Sequence, residues 1–191
     1  MTNVTIFGSG NMATAINGVL SAGGASVHHI SSSDSDSTVI GDIVVLAVPH
    51  PALKEITSRY GDQLAGKIVV DITNPLDFST FDSLTVPADG SAAAEIAAAL
   101  PDSRVLKAFN TTFAGTLAAG TVGPLPTTVL IAGDDADAKA LLAGIVTAGG
   151  LRTVDAGSLR RARELEALGF LQLTLAAAEK ISWTGGFGLV D

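Results

Sequence analysis

The sequence predicts an α/β fold: a doubly wound, mostly parallel sheet with helices on both faces and a helix at its C-terminal end. Three observations carry that expectation. Strand-like and helix-like segments alternate along the whole chain, the pattern of parallel strands joined by helical crossovers. The run Ile43-Val44-Val45-Leu46-Ala47-Val48 is apolar without a break, as a strand covered on both faces requires. The first strand, 3–7, runs into Gly8-Ser9-Gly10-Asn11-Met12-Ala13. The spacing Gly8-x-Gly10-x-x-Ala13 between a strand and a helix is the dinucleotide fingerprint of a Rossmann-type fold, with its permitted third-position alanine.

Each small residue of that turn has a physical role. Gly8 tolerates the backbone angles of a tight exit from the strand. Gly10 has no side chain to hold a pyrophosphate away, and Ala13 lets the following helix approach the strand. The unpaired N–H groups of that helix's first turn favour an anion. The helix, 11–22, stops at Gly23-Gly24, and strand 25–30 follows. Ser31-Ser32-Ser33-Asp34-Ser35-Asp36-Ser37 is then a polar loop. Strand 42–48 comes so soon after it that the helix and strand an ordinary doubly wound unit places there are trimmed away.

Pro49-His50-Pro51 opens a helix to about residue 60, with Pro51 suited to its first turn. Strand 67–72 ends in Thr73-Asn74-Pro75, and 76–90 has no period. Residues 91–100 are alanine-rich and helical. Strand 104–109, a short helix over 113–119 and strand 127–132 come next. Gly133-Asp134-Asp135 leads into a helix over 136–148, which Gly149-Gly150 ends before the last strand, 151–155. A final helix over 158–181 is charged in its first part and apolar nearly all round in its second, so something must bury it. The domain core and a second subunit are the two candidates, and a homodimer contact is expected. The organisation is a nucleotide-binding domain over 1–157, with helix and tail 158–191 packed on it or on a second subunit. The glycine-rich tail, 183–188, either frays or folds over a site.

Composition removes several function classes. The 191 residues carry a net charge of −8, which speaks against a nucleic-acid surface. There is no cysteine, hence no disulfide, no thiolate catalysis and no thiolate metal site. His28, His29 and His50 lack metal-ligand spacing, so no metal is expected. No apolar run reaches membrane-spanning length, and no charged leader precedes the first strand. A soluble cytoplasmic protein is the expectation.

The residue ending the second strand usually separates the two nicotinamide cofactors, an acid about 20 residues past the glycines favouring NAD. Here that place falls among His29, Ile30, Ser31 and Ser32, with no acid until Asp34. Hydroxyls of Ser31, Ser32 and Ser33 can donate to a 2′-phosphate, so the pattern leans to NADP (NADPH), although no arginine stands near in sequence; the bland alternative is a solvated loop. Asn74 and Asn110 end buried strands, where an amide can orient a ring or merely cap a turn. His50 either touches a cofactor ribose or begins a helix. Lys107 is expected at an exposed strand end, and Arg163 with Glu166 as a surface pair.

Taken together, several segments resemble the family of coenzyme F420-dependent NADP oxidoreductases, whose fold also forms the cytosolic domain of the STEAP metalloreductases. They are Gly8 to Ala13, Val45-Leu46-Ala47-Val48-Pro49, Asp71-Ile72-Thr73-Asn74-Pro75 and Ser91…Glu95…Leu100-Pro101. Val105-Leu106-Lys107-Ala108-Phe109-Asn110-Thr111, Ile131-Ala132-Gly133-Asp134-Asp135-Ala136 with Lys139, and Asp155-Ala156-Gly157-Ser158-Leu159 with Ala162-Arg163 and Glu166 complete the set. The resemblance implies an NADPH-dependent oxidoreductase that passes hydride to a flavin- or deazaflavin-type, or other small, electron acceptor. Such transfer is the cofactors' chemistry, so no catalytic side chain is assigned. By matching position, the cofactor-binding set is Gly8, Ser9, Gly10, Asn11 and Met12 at the glycine turn and Ser31, Ser32 and Ser33 at the adenosine end. Ala47, Val48, Pro49 and His50 border the nicotinamide half, and Asn74, Pro75, Ala108, Phe109 and Asn110 shape the floor where two rings meet. Three departures stand out: Ser32 replaces the family's usual arginine after Ser31, the segment 32–41 is short, and so are 76–88 and the C-terminus. The rival expectations are a non-catalytic NAD(P)-binding module that senses redox state, and a pyrroline-carboxylate-type reductase, for which residues 158–191 are few.

Overall fold

A computed structural model describes residues 1–34 and 37–190 of the chain. Ser35 and Asp36 of the expected polar loop, and Asp191, lie outside the described residues. In chain order the elements are β1 (Asn3–Phe7), α1 (Asn11–Ala22), β2 (Ser26–Ile30), β3 (Ile43–Leu46), α2 (Leu53–Leu64), β4 (Ile68–Asp71), α3 (Ala92–Ala99) and β5 (Arg104–Lys107). Then come α4 (Ala114–Ala119), β6 (Thr121–Val122), β7 (Leu125–Pro126), β8 (Thr128–Gly133), α5 (Ala136–Ala148), β9 (Arg152–Gly157) and α6 (Ala162–Ala177).

Seven strands form one sheet in the order β2-β1-β3-β4-β5-β8-β9. All neighbours pair in parallel except β5 and β8, so the expected doubly wound, mostly parallel sheet is present. Alternate side chains divide two cores. Val4, Ile6, Ile43, Val45, Ile68, Val70 and Leu106 meet α1 and α5 on one face. Phe7, Val44, Leu46, Val69 and Val105 meet α2 and α3 on the other. Burial on both faces is why β3 and β4 read as unbroken apolar runs. Strand order reverses about β1, whose two neighbours are β2 and β3. That reversal opens the crevice in which open α/β sheets bind ligands.

Three segments differ from expectation for local reasons. Pro49 is extended, and the Ala52 amide donates to the Pro49 carbonyl at 2.9 Å, so His50–Ala52 is a 3-10 turn and α2 starts only at Leu53. The last helix is likewise preceded by a 3-10 turn, Leu159–Arg161, and it ends at Ala177, with Glu179 at φ 56° breaking its path. Residues 121–126 form a small hairpin, β6 with β7, where no strands were expected. The glycine-rich tail lies back on the body. Trp183 packs on Phe113 with ring centroids 5.1 Å apart, and the Phe187 amide donates to Gln172 at 3.3 Å.

Lys107 overturns its expected exposure. It is fully buried, because β4 and β5 set it directly beside Asp71. Its ammonium donates to Asp71 Oδ2 at 2.7 Å, to Glu166 Oε1 at 2.8 Å and to the Thr73 carbonyl at 2.5 Å. Glu166 is not in a surface pair with Arg163 either. It is buried and also accepts from the amides of Ala92 and Ala93, at 3.0 and 3.4 Å, at the head of α3. One carboxylate thus joins α6 to α3 and to the sheet. Burial pushes the Glu166 carboxyl above its ordinary value of 4.5, with the nearby Lys107 charge opposing.

Two outcomes follow. Lys107→Met leaves two buried carboxylates without their cation, and chemical denaturation should show a loss of about 3–5 kcal/mol. The second concerns pH. The folded protein holds the Glu166 proton more tightly than the unfolded chain does, so the stability this group contributes is present below 4.5 and is lost as pH rises through the raised value. Asp34, Asp77 and Asp155 are shifted the other way and act only as pH falls below 3.8. Glu166→Gln should therefore flatten the denaturation profile above 4.5 and leave the acid limb unchanged.

Candidate functional site

The C-terminal ends of the five parallel strands form one edge. Phe7 pairs with Ile30 and Leu46, Leu46 with Asp71, and Asp71 with Lys107, so the loops that follow these residues lie side by side. The Gly8 amide donates to the Ile30 carbonyl at 2.9 Å, and Ala47 donates to Phe7 at 2.9 Å. Gly8 sits at φ +115°, and a Cβ there would stand 2.2 Å from the Ala47 carbonyl oxygen. Only glycine lets the β1 and β3 exits close on each other. His29 completes the turn through Nδ1, 2.9 Å from the Gly8 carbonyl oxygen.

Gly10 is different. Its φ is −77°, open to any residue, and a Cβ would meet nothing within 4 Å. The fold therefore gives no reason for glycine here; the space it leaves lies in front of α1. No side chain caps α1, whereas Ser91 caps α3 and Asp135 caps α5. An uncapped helix whose leading glycine faces open space has the form of an anion cradle.

Beside this turn a pocket of about 120 Å³ opens between β1, β2 and α2. Its walls include Gly8, Ser31, Ser32, Asp34, Val48 and Arg59. Asp34 folds back so that Oδ2 accepts from the Ser31 amide at 2.8 Å and from its hydroxyl at 2.6 Å. These bonds hold its carboxyl below the ordinary aspartate range. Ser33 Oγ lies 2.7 Å from Ser31 Oγ.

Toward the other end of the edge, His50 lies 3.3 Å from Glu95 at the mouth of a groove of about 400 Å³ between α2 and α3. Asn74 and Asn110 face each other. Asn74 Nδ2 donates to the Asn110 carbonyl and Asn110 Nδ2 to Asn74 Oδ1, both at 2.9 Å; Asn110 Nδ2 also donates to the Leu165 carbonyl at 2.8 Å. Phe109 takes φ +63°, which turns the chain while its ring stays in the core. Among the described residues, Thr73 Oγ1 and Asn110 Oδ1 are buried oxygens without a partner. A larger hollow, about 680 Å³ between α1 and α4, reaches Asn11 and is lined mostly by small side chains.

The structure thus brings Gly8, Ser9, Gly10, Asn11, Met12, Ser31, Ser32, Ser33, Ala47, Val48, Pro49, His50 and Asn74 along one accessible edge. Pro75, Ala108, Phe109 and Asn110 lie at the same strand ends but are buried, the last of them bonded to α6. Gly169 permits that covering: a Cβ there would stand 2.3 Å from Asn74 Oδ1. Sequence reasoning missed Gly169, Arg59 and the Asp71–Lys107–Glu166 network. A lysine and an aspartate in like positions of adjacent apolar strands were the available signal for the network.

A sequence profile of the family described as "NADP oxidoreductase coenzyme F420-dependent" matches residues 30–75. The F420-dependent NADP reductase of Methanothermobacter marburgensis is 30% identical over 159 residues, covering 80% of this chain and 70% of that protein. That of Methanocaldococcus jannaschii is 29% identical, covering 87% and 76%. A crystal structure from Arthrobacter sp. FB24, provisionally designated an F420-dependent NADP reductase, superposes over 100% of both chains with a TM-score of 0.86 at 24% identity, a likeness of fold.

The two glycines of the turn should separate in experiment. Gly10→Val should melt within a few degrees of the unaltered protein yet bind nicotinamide nucleotides at least about tenfold more weakly, since a side chain there meets only the ligand's path. Gly8→Val should lose stability outright.

Proposed function

The chain belongs to the family of F420-dependent NADP reductases and is an NAD(P)H-linked oxidoreductase, and from that premise we propose that it carries hydride from NADPH to a flavin- or deazaflavin-type acceptor. Membership of an enzyme family sets aside the non-catalytic sensing module. The observation that carries the proposal is the pair of glycines. Gly8 is locked into the fold, whereas Gly10 leaves open space before an uncapped helix, which fits a dinucleotide pyrophosphate.

In this proposal Gly8 to Met12 hold the pyrophosphate through backbone N–H groups, and Ser31, Ser32 and Ser33 border the 2′-phosphate. Ala47, Val48, Pro49 and His50 line the nicotinamide ribose. Asn74 presents an amide whose orientation is fixed by its two bonds to Asn110. Pro75, Ala108, Phe109 and Asn110 act from beneath as a rigid floor. When bound, the nicotinamide supplies the hydride chemistry. The chain's own work is alignment and exclusion of water: a fixed amide and a covered floor hold two rings in one geometry, and no acid–base side chain is assigned. The region 1–157 supplies the nucleotide site and 158–191 the covering helix and tail. We place the protein in the cytoplasm, as a homodimer to be checked by light scattering.

The test is calorimetric titration with NADPH and with NADH, followed by oxidation of NADPH with FMN or F420 present. Tighter binding of NADPH and acceptor-dependent oxidation are expected. Binding of neither nucleotide overturns the proposal, and binding without oxidation by either acceptor overturns the acceptor class.

A further inference from the structure

We propose that Arg59 on α2, not a group of the loop after β2, selects the 2′-phosphate of NADPH, and that Asp34 opposes it by holding that loop's own anion donors. The proposal rests on the nucleotide site described above. Residues 31–41 contain no lysine or arginine, so the loop has no cation to offer a phosphate. Of its donors on the pocket wall, the Ser31 amide and hydroxyl are both engaged by Asp34 Oδ2. An arriving phosphate therefore meets a carboxylate already seated on those donors. Glu55, also on the pocket wall, adds to the unfavourable charge.

Arg59 is the one cationic side chain among the described residues lining this pocket. It is exposed, and among the described residues no ion pair engages it. Its guanidinium carbon stands 5.5 Å from the centroid of the Tyr60 ring. Tyr60 in turn packs edge-on against Phe7 at 4.9 Å, and its hydroxyl donates to the Asp34 carbonyl at 3.4 Å. Arg59 is thus held next to the residues that close the adenosine end, with a planar fork suited to two phosphate oxygens. The displaced Asp34 has solvent to turn into, since it is exposed.

The test measures Kd for NADPH and NADH in the unaltered protein, Arg59→Gln and Asp34→Asn. Arg59→Gln should weaken NADPH about tenfold while NADH changes by less than about twofold. Asp34→Asn should tighten NADPH several-fold with NADH nearly unchanged, and added salt should narrow the NADPH advantage of the unaltered protein. Equal losses for both nucleotides in Arg59→Gln, or no gain for NADPH in Asp34→Asn, overturns the inference. Failure of the unaltered protein to bind either nucleotide would instead overturn the site itself, so the two failures are distinct.

Discussion

The Lys107 ammonium is the point on which the rest of the structure depends. It ties neighbouring strands through Asp71, fixes the exit of β4 through the Thr73 carbonyl, and anchors α6 through Glu166. A buried ion pair is a doubtful source of stability, because desolvation offsets attraction. Its effect here is to specify geometry. Glu166 can reach Lys107 and the head of α3 together only if α6 crosses the sheet edge in one place. That crossing brings Leu165 onto Asn110 and Gly169 onto Asn74. The residue that follows Thr73 is Asn74, so the same lysine sets the asparagine pair.

The edge is consequently built in two styles. At the β4–β5 end most polar groups are buried and bonded to one another, Thr73 Oγ1 and Asn110 Oδ1 excepted. At the β1–β2 end the side-chain bonds around Ser31 are exposed and short-range: Asp34 bonds Ser31 three residues away, and Ser31 meets Ser33 two residues away. Helix α1 opens at the β1 exit without a side-chain cap, as α2 and α6 also do elsewhere, while α3 and α5 have theirs. The capped helices are satisfied from within the chain, and α1 leaves its donors outward.

The fold was legible in the sequence because burial on both faces writes itself as unbroken apolar runs, and because glycine pairs mark the ends of α1 and α5. The family was legible from short segments at the strand ends. The covering of Phe109 and Asn110 was not, since it depends on where α6 crosses, and that is decided by a long-range contact between Lys107 and Glu166. A lysine in an apolar strand reads locally as a strand end; only the parallel register with Asp71 makes it a core residue. Arg59 escaped notice for a similar reason. It lies far along the chain from Ser31, on a helix whose periodicity reports core packing and not the pocket at its flank. The hairpin over 121–126 is too short to carry any alternation.

The two styles of edge suit two different tasks in the proposed reaction. Hydride transfer depends on the separation and angle of two rings, which a small shift in the floor would spoil. A floor of buried, mutually bonded groups resists such shifts, and the positive φ of Phe109 persists only because its ring is held in the core. Recognition of a 2′-phosphate has the opposite need: donors must change partner when the ligand arrives. Arg59, exposed and in no ion pair among the described residues, and an aspartate bonded to near neighbours can do so without disturbing the sheet. In that proposal selectivity can drift at the β2 end, by exchange of a few surface charges, while the buried network beneath the proposed ring site stays fixed.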